Sequence, residues 1–299
     1  MIDFKNKVVV ITGGGNGIGL SLAKRLINEG AKIMLADVQE EALTKARIFL
    51  NAKAETISTL KTDITRTEDW DKLVNKTIQV FGQVDFLFNN AGVYLIKSFD
   101  YLTEKDWQWI MDVNFFGGLK GVRAFMPVME KQKSGGHVVF MASHAALAPM
   151  PRTSTYEVSK AATLRLAECC YLEAQEAKKE NMRFSVILPS MVKTSLFTCE
   201  DNRPGVYSNE QEVKSQEDLK ALAARKSDNF GDAFGAIDSE IAIDRIMDQL
   251  KKGYFYIYTH RTLTKQVIME QTRRLLVGYE PPMHLGKFMA NYYQTKKER

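Results

Sequence analysis

Tyr156 and Lys160 stand four residues apart in the pentapeptide YEVSK. If this stretch is helical, both side chains leave the same face of the helix, one turn apart. A phenol beside an ammonium group could serve acid–base chemistry, but Tyr and Lys are common residues and the spacing alone also arises by accident. The pair becomes a catalytic candidate only if the rest of the sequence places other functional residues around it.

Apolar, β-branched runs alternate with longer helical patterns along the chain, and this alternation predicts repeated βαβ units. Runs such as VVVIT are apolar throughout, as expected for parallel strands covered by helices on both faces. We therefore expect an α/β fold, one domain over residues 1–299 with a doubly wound, Rossmann-type parallel sheet. The predicted strands cover 7–12, 32–37, 55–63, 84–92, 137–143, 183–190 and 254–260, and long helices are predicted over 103–131 and 155–179.

Composition and charge narrow the functional class. The chain has 299 residues, 45% of them hydrophobic and 26% charged, which is typical of a globular protein. We find no membrane-spanning run and no signal-peptide cleavage site, so we expect a cytoplasmic protein. The three Cys and four His residues show no metal-ligand spacing, so no metal site is expected. The net charge of +5 lies within residues 260–299, where a solvated tail is the simplest interpretation and no nucleic-acid motif is present.

The segment TGGGNGIG joins the first predicted strand to the first helix. It fits the pattern T-G-x-x-x-G-x-G rather than G-x-G-x-x-G. Glycines allow the backbone to approach a pyrophosphate, and the following helix points free N–H groups at it. This segment therefore predicts a nucleotide site, with cofactor contacts from Gly13, Asn16, Gly17, Ile18 and Gly19.

Asp37 ends the second predicted strand, where a carboxylate accepts hydrogen bonds from adenosine ribose hydroxyls and repels a 2′-phosphate. Because position 16 is Asn and no basic residue directly follows Asp37, NAD is favoured over NADP. Asp63, with Ile64 beside it, is placed to meet the adenine edge, although Asp63 could equally be a turn or cap residue. The NNAG segment after the fourth strand supplies three further predicted contacts, Asn90, Ala91 and Gly92.

Together these motifs resemble the short-chain dehydrogenase/reductase family. The resemblance covers roughly residues 5–200 and returns weakly near 240–260. The matching elements occur in the family's order: TGGGNGIG, Asp37, Asp63, NNAG, Asn114 in DVNFFG, Ser143, YEVSK and PSMVKT.

The resemblance implies a catalytic role for four residues. Tyr156 would exchange a proton with the substrate oxygen, and Lys160 would hold the nicotinamide ribose and, with the nicotinamide cation, lower the pKa of the phenol. Ser143 would hydrogen-bond the reacting oxygen, and Asn114 would hold a water that links Lys160 to solvent. Val192 and Thr194 would contact the nicotinamide carboxamide.

The substrate side departs from the family pattern. Pro189-Ser190 replaces the frequent Pro-Gly, and His144, directly after Ser143, is interpreted as a pocket-lining or packing residue. Residues 195–238 form an insertion, interpreted as a helical substrate lid with one apolar face. The substrate pocket is expected to include Met150, Met191 and Phe197, and other apolar lid residues are Leu196, Tyr207, Phe230 and Phe234. Such a lining favours a bulky apolar substrate (steroid-like, terpenoid or long-chain), unless these residues only pack the lid onto the body.

The C-terminal region, 261–299, also departs from the family pattern. Residues 262–277 are predicted to form an amphipathic helix. We interpret this helix as packed on the body or as a dimer surface, rather than as membrane-bound. Its predicted apolar side holds Leu263, Val267, Ile268, Leu275 and Leu276. Phe288, Tyr292 and Tyr293 are placed to cover the active-site mouth of this subunit or a partner. A homodimer or homotetramer is expected by the resemblance.

The sequence thus predicts an NAD-dependent oxidoreductase that interconverts a secondary alcohol and a ketone. One alternative is an NADPH-dependent carbonyl reductase of the same fold. The other belongs to a different class, a nucleotide-binding sensor or scaffold that has lost catalysis.

Overall fold

The computed structural model describes residues 1–209, 213–226 and 234–297. In this part of the chain, seven strands form one sheet in the order β3-β2-β1-β4-β5-β6-β7, and every neighbouring pair is parallel. The order reverses between β1 and β4, which creates the crevice where such sheets bind ligands. The strands are β1 Val8–Thr12, β2 Lys32–Asp37, β3 Ile57–Lys61, β4 Phe86–Asn89, β5 Gly136–Met141, β6 Met182–Leu188 and β7 Tyr256–Tyr258.

Helices cover both faces of the sheet, because successive side chains of a strand point to opposite sides. Val9 of β1 belongs to one buried layer with Leu22 and Ile246, whereas Val10 belongs to the other with Trp70 and Phe125. The predicted Rossmann-type fold is confirmed. The α-helices are α1 Gly17–Asn28, α2 Glu40–Leu50, α3 Thr67–Phe81, α4 Glu104–Met111, α5 Gly118–Lys131, α6 Ser154–Glu176, α7 Gln216–Lys226, α8 Ser239–Lys251, α9 Arg261–Val277 and α10 Leu285–Lys297.

Several predicted boundaries were wrong at their ends. Strand β3 ends at Lys61, two residues before Asp63, and β4 ends at Asn89, before most of the NNAG segment. The predicted helix over 103–131 is interrupted between α4 and α5 by a π-helical segment, Asp112–Gly117. That segment carries Asn114, and π-helical turns frequently mark functional sites.

The predicted single apolar face of α9 was wrong. Leu263 and Val267 are buried, but Ile268 is 38% exposed, Leu275 72% and Leu276 82%. At about 100° per residue, the last three positions point more than 100° away from Leu263. The helix therefore packs through one narrow stripe and presents a second apolar patch outward.

The insertion after Thr194 is partly helical in its described residues. It contains short 3-10 turns at Ser195–Asn202 and Gly205–Tyr207, followed by α7. Ile237 then pairs with Val192, so the end of the insertion returns to its start. Phe230 lies outside the described residues. Within the described residues, no helix is long and apolar enough to cross a membrane.

Candidate active site

The glycine-rich loop between β1 and α1 lies against the loop that follows β4. Gly13 has a φ of +61°, and a Cβ atom there would lie 2.9 Å from the Ala91 Cα. A Cβ atom on Gly19 would collide with the carbonyl oxygen of Gly13. These two glycines are therefore required by the close approach of the two loops.

Asn90 holds these two loops together. Its Nδ2 donates to the Thr12 carbonyl at 2.8 Å and to the Gly13 carbonyl at 3.2 Å. The Thr12 hydroxyl in turn accepts the backbone N–H groups of Asn90 and Ala91, each at 3.1 Å. The Asn90 side-chain amide therefore stabilises the conformation of the glycine-rich loop.

Asp37 lies at the carboxyl end of β2, beside the same loop. Its Oδ2 accepts the Gly15 N–H at 3.0 Å, and its Oδ1 accepts the Gln39 N–H at 3.0 Å. A carboxylate has about four acceptor positions, so two of them remain for ribose hydroxyls. The geometry fits the predicted role of Asp37.

Asp63 is committed to a local turn. Its Oδ1 accepts the Thr65 N–H at 2.9 Å and the Thr65 hydroxyl at 2.7 Å. These hydrogen bonds are those of a turn residue, the alternative role predicted for Asp63. Asp63 and Ile64 nevertheless also line the cleft. Arg66 lies at the same end, a basic neighbour that sequence reasoning missed because it considered only position 16 and the positions directly after Asp37.

The π-helical segment brings Asn114 against the loop after β4. Asn114 Oδ1 accepts the Val93 N–H at 2.8 Å, and its Nδ2 donates to the Val93 carbonyl and the Ser159 hydroxyl, each at 3.0 Å. A Cβ atom on Gly92 would lie 3.2 Å from both Asn114 Oδ1 and Lys160 Nζ. Only glycine leaves these two polar groups undisturbed.

Helix α6 places Tyr156 and Lys160 at the centre of the cleft. Lys160 Nζ lies 5.6 Å from the centroid of the Tyr156 ring and donates to the Met141 carbonyl at 2.9 Å. Ser143 follows β5, and its side chain lies close enough to the Tyr156 hydroxyl to have a lowering effect on the pKa of the phenol. Three of the four predicted catalytic residues thus line one cleft, and Asn114 lies directly behind them.

Burial dominates the ionisation of this group in the polypeptide itself. Desolvation raises the pKa of Tyr156 to about 12, against the lowering effect of the Ser143 side chain. Desolvation also lowers the pKa of Lys160 to about 8. The predicted lowering of the phenol pKa involves Lys160 together with a bound nicotinamide cation, and it stays a prediction.

The cleft measures about 1030 Å³ and continues past these residues. It is lined by almost all of the predicted cofactor contacts, whereas Gly19 lies buried beneath the loop. The lining contacts are Gly13, Asn16, Gly17, Ile18, Asp37, Asp63, Ile64, Asn90, Ala91, Gly92, Val192 and Thr194. A long groove of this kind, floored by glycines, fits a dinucleotide.

Comparisons with known proteins agree with this geometry. The short chain dehydrogenase family profile matches residues 7–204. The chain belongs to the short chain dehydrogenase family. It is 30% identical, over 95% of its own length and 98% of the relative's, to a CLA biosynthesis dehydrogenase/reductase from Lactiplantibacillus plantarum. It is 31% identical to a C alpha-dehydrogenase from Sphingobium sp., over 74% of this chain and 72% of that one.

A solved structure is also similar over nearly the whole chain. The crystal structure of a short chain dehydrogenase/reductase from Burkholderia phymatum in complex with NAD has a TM-score of 0.86 and 29% identity. The match covers 94% of this chain and 98% of that one. The chain is therefore an oxidoreductase of the short chain dehydrogenase family with that family's fold.

The substrate end of this short chain dehydrogenase lies beyond Tyr156. All four predicted pocket residues, His144, Met150, Met191 and Phe197, line it. His144 is 2% exposed, and burial, with a further contribution from His260, lowers its pKa to about 4. The imidazole is therefore neutral near pH 7, and a neutral buried ring fits the predicted packing or lining role.

The C-terminal segment covers the same end of the cleft in its own subunit. The Leu285 N–H donates to the Pro149 carbonyl at 2.9 Å, and residues 284–287, 289 and 290 line the cleft. Phe288, Tyr292 and Tyr293, which were predicted at the mouth, pack behind this lining against a cluster that includes Met150 and Met191. Sequence reasoning chose the aromatic residues and missed the residues of the lining itself, Leu285 and Met289 among them.

Two further cleft residues carried no motif in the sequence. Glu157 is 9% exposed, receives the Thr153 hydroxyl at 2.7 Å and has a pKa raised to about 7 by burial. Tyr94 packs against Tyr156. In the described residues, no group of three or more His, Cys, Asp or Glu side chains converges on a possible metal position.

Proposed function

We propose that this short chain dehydrogenase interconverts a secondary alcohol and a ketone and uses NAD. The observation that carries the proposal is the arrangement of Ser143, Tyr156 and Lys160 at one point of the cleft, between the nucleotide groove and an apolar end. When bound, the nicotinamide cofactor supplies the hydride acceptor or donor. The polypeptide supplies position, hydrogen bonds and the proton path.

Tyr156 is the proposed acid–base group. In the oxidation of an alcohol, the Tyr156 phenolate would accept the hydroxyl proton while the hydride from the carbinol carbon would be taken up by a bound nicotinamide cofactor. In ketone reduction, the Tyr156 phenol would donate that proton and the hydride would be supplied by the reduced cofactor. Ser143 Oγ hydrogen-bonds the reacting oxygen and stabilises the charge that develops there. A general acid or base must lie within hydrogen-bond reach of the atom it serves, and the nearness of Ser143 to Tyr156 supports a common contact of both hydroxyls with the reacting oxygen.

Lys160 and Asn114 are the proposed supports of that step. Lys160, four residues after Tyr156 on α6, would hold the nicotinamide ribose through its ammonium group. Asn114 Oδ1 accepts the Val93 N–H, and because an amide oxygen has two lone pairs, the second is available to the proposed relay water. Val192 and Thr194 would contact the nicotinamide carboxamide from the loop after β6.

The proposed preference for NAD depends on Asp37. Its carboxylate lies at the end of β2 beside the nucleotide loop, where it would accept ribose hydroxyls and repel a 2′-phosphate. The NAD complex of the similar Burkholderia phymatum protein supports this cofactor. The alternative, an NADPH-dependent reductase, would need Arg66 to offset Asp37, and Arg66 is largely exposed next to Glu68.

A bulky apolar substrate is the proposed class. The substrate end is walled by Met150, Met191 and Phe197, by the proposed lid around 195–238 and by the C-terminal segment. Such side chains provide apolar area and few fixed hydrogen-bond partners, as expected for a steroid-like, terpenoid or long-chain ligand. The dehydrogenase names of the two similar proteins support the reaction class.

The test is initial-rate oxidation of a panel of secondary alcohols, from small diols to hydroxysteroids, with NAD and with NADP. Wild type and Tyr156→Phe are compared, with NAD binding measured separately. We expect NAD-linked turnover on bulky alcohols, a loss of at least about a hundredfold in the variant, and unchanged NAD binding. Turnover retained by Tyr156→Phe would contradict the mechanism, and NAD binding without turnover on any alcohol would favour the sensor alternative.

Asp37→Ala separates the two cofactor alternatives. Removing the carboxylate should reduce the preference for NAD, measured as the ratio of kcat/KM with NAD to that with NADP, by at least about tenfold. Glu41→Ala is the matched control, because Glu41 is an exposed carboxylate in the first turn of α2 and does not line the cleft. A ratio unchanged by Asp37→Ala would show that Asp37 does not select the cofactor.

A further inference from the structure

Tyr94 lies between the candidate acid–base residue and the proposed lid. Its ring centroid is 4.6 Å from that of Tyr156, with an interplanar angle of 69°, and 5.3 Å from that of Phe197, with an angle of 81°. Both contacts are edge-to-face, an arrangement that favours one relative orientation of the rings. Tyr94 is 6% exposed, and its ring helps to shield the Tyr156 ring from solvent.

The backbone of Tyr94 is held from the lid side. Cys199, in the 3-10 turn Ser195–Asn202, accepts the Tyr94 N–H at its Sγ at 3.0 Å and donates to the Tyr94 carbonyl at 3.3 Å. The preceding residue, Val93, is held from the opposite side by the two Asn114 hydrogen bonds. One short stretch of chain therefore joins the lid, the π-helical segment and the ring of Tyr156.

We propose that Tyr94 is a positioning residue for Tyr156, and that its contacts with Phe197 and Cys199 make this positioning depend on the docking of the lid. The inference rests on the proposed function, in which Tyr156 moves the proton. Removal of the Tyr94 ring frees the phenol to rotate and admits water to it. Small displacements of a reacting group are costly, since about 1 Å can reduce turnover a hundredfold.

The two consequences can be measured separately. Misplacement of the phenol lowers kcat more than it raises KM, because the group acts in the transition state. Water at the phenol removes part of the desolvation that raises the pKa of Tyr156 to about 12, so this pKa falls toward 10. A residue that only walled the substrate pocket would change KM and leave the titration of Tyr156 unmoved.

The experiment compares Tyr94→Phe and Tyr94→Leu with wild type, using the best alcohol of the panel. Tyrosine labelled with 13C at Cζ is titrated by NMR, with the Tyr156 signal assigned by its loss in Tyr156→Phe. We expect Tyr94→Phe, which keeps the ring, to retain kcat within about threefold, and Tyr94→Leu to lose about thirtyfold. The Tyr156 titration in Tyr94→Leu should move to lower pH. Tyr101→Leu, at an exposed position, is the matched control.

The titration separates failure of this inference from failure of the proposed function, because it requires no turnover. An unmoved Tyr156 titration in a folded Tyr94→Leu variant overturns the inference, as does an effect confined to KM. Phe197→Leu provides a second test, since it removes the lid-side ring without touching Tyr94. We expect it to move the Tyr156 titration in the same direction, and its combination with Tyr94→Leu to give less than the sum of the two shifts. Additive shifts would show that the lid acts on Tyr156 without Tyr94.

Discussion

Gly92 leaves space for two of the candidate catalytic groups, those of Asn114 and Lys160. A Cβ atom there would lie 3.2 Å from both Lys160 Nζ and Asn114 Oδ1, closer than most side-chain contacts. Gly92→Ala should therefore move one of these groups and reduce kcat by about tenfold, with little change in stability. The measurement is kcat and the free energy of unfolding.

Gly205→Ala is the matched control for that substitution. A Cβ atom on Gly205, in the proposed lid, would meet no atom within 4 Å. It should leave both quantities unchanged. Equal kcat values for the two alanine variants would show that the space above Gly92 is not needed.

Glu157 makes the stability of the protein depend on pH. Burial raises the pKa of this carboxyl from 4.5 to about 7, so the folded state keeps its proton where the unfolded state has lost it. The contribution of Glu157 to stability therefore decreases as the pH rises from about 4.5 to about 7, by at most about 3 kcal/mol. Below pH 4.5 both states are protonated and the effect is absent.

Glu157→Gln removes this ionisation and keeps an oxygen that can receive the Thr153 hydroxyl. We expect the variant to be more stable than wild type by about 1–3 kcal/mol above pH 7, with a difference that shrinks as the pH falls toward 4.5. Urea denaturation at a series of pH values measures it. A constant difference across this range would mean that Glu157 is already ionised in the folded state.

At the residue scale, the sequence predicted those groups that stand at strand ends in recognisable motifs. Asp37 and Tyr156 follow from local position and spacing, because the carboxyl edge of a parallel sheet gathers such residues. Tyr94 and Glu157 could not be predicted, since each contributes through a ring contact or burial that depends on packing. The raised pKa of Tyr156 was missed for the same reason, because desolvation is a property of the folded environment.

Among the elements, the proposed lid is fixed to the body by a buried ionic cluster. Asp106 of α4 is fully buried, receives Lys97 Nζ at 3.0 Å and Arg203 Nη1 at 2.6 Å, and has a pKa lowered to about 2 despite the opposing desolvation. The guanidinium of Arg203 also lies 5.0 Å from the centre of the Trp109 ring. Because Arg203 belongs to the insertion, this cluster docks the first part of the lid.

Arg203→Met tests this docking, because Lys97 remains to pair with Asp106. We expect a loss of about 2 kcal/mol in the free energy of unfolding, since a hydrogen bond to a charged partner is lost. We also expect a raised KM for the apolar substrate and faster amide hydrogen exchange in residues 195–209. Lys24→Met, which removes an exposed ion pair with Glu240, is the matched control and should leave stability and exchange nearly unchanged. Unchanged exchange in Arg203→Met would show that the lid is held by other contacts.

At the element scale, the existence and order of the seven strands and of the helices between β1 and β6 were predictable, but their ends were not. The helices α8 and α10 were not predicted. The interruption at Asp112–Gly117 has no periodicity signal, because a π-helical turn adds one residue inside an otherwise helical pattern. The orientation of α9 was missed because its apolar residues occupy two faces, and only tertiary packing selects Leu263 and Val267 as the buried pair.

Across the whole molecule, one edge of the sheet collects residues that are far apart in the sequence. Parallel strands all end at the same edge, so the loops after β1, β2, β4, β5 and β6 meet there. This part of the architecture follows from the βαβ pattern alone. The cover of the substrate end does not, because a C-terminal segment can pack on its own subunit or on a partner with the same sequence.

The C-terminal segment should therefore govern substrate binding and leave cofactor binding unchanged. A chain that ends at Gly278 lacks residues 284–290 of the cleft lining but keeps every predicted cofactor contact. We expect its KM for a bulky apolar alcohol to rise by at least about tenfold, because buried apolar side chains each contribute about 1.5–3 kcal/mol, while NAD binding stays within about twofold.

A chain that ends at Thr295 keeps the lining and is the matched control. Because the truncated protein could misfold, the double variant Leu285→Ala with Met289→Ala in the full chain is a second test. It removes apolar side chains from the cleft lining and keeps the backbone hydrogen bond from residue 285 to the Pro149 carbonyl. If both altered proteins fold and retain the wild-type KM, the substrate does not reach this part of the cleft and the apolar class proposed for it is wrong.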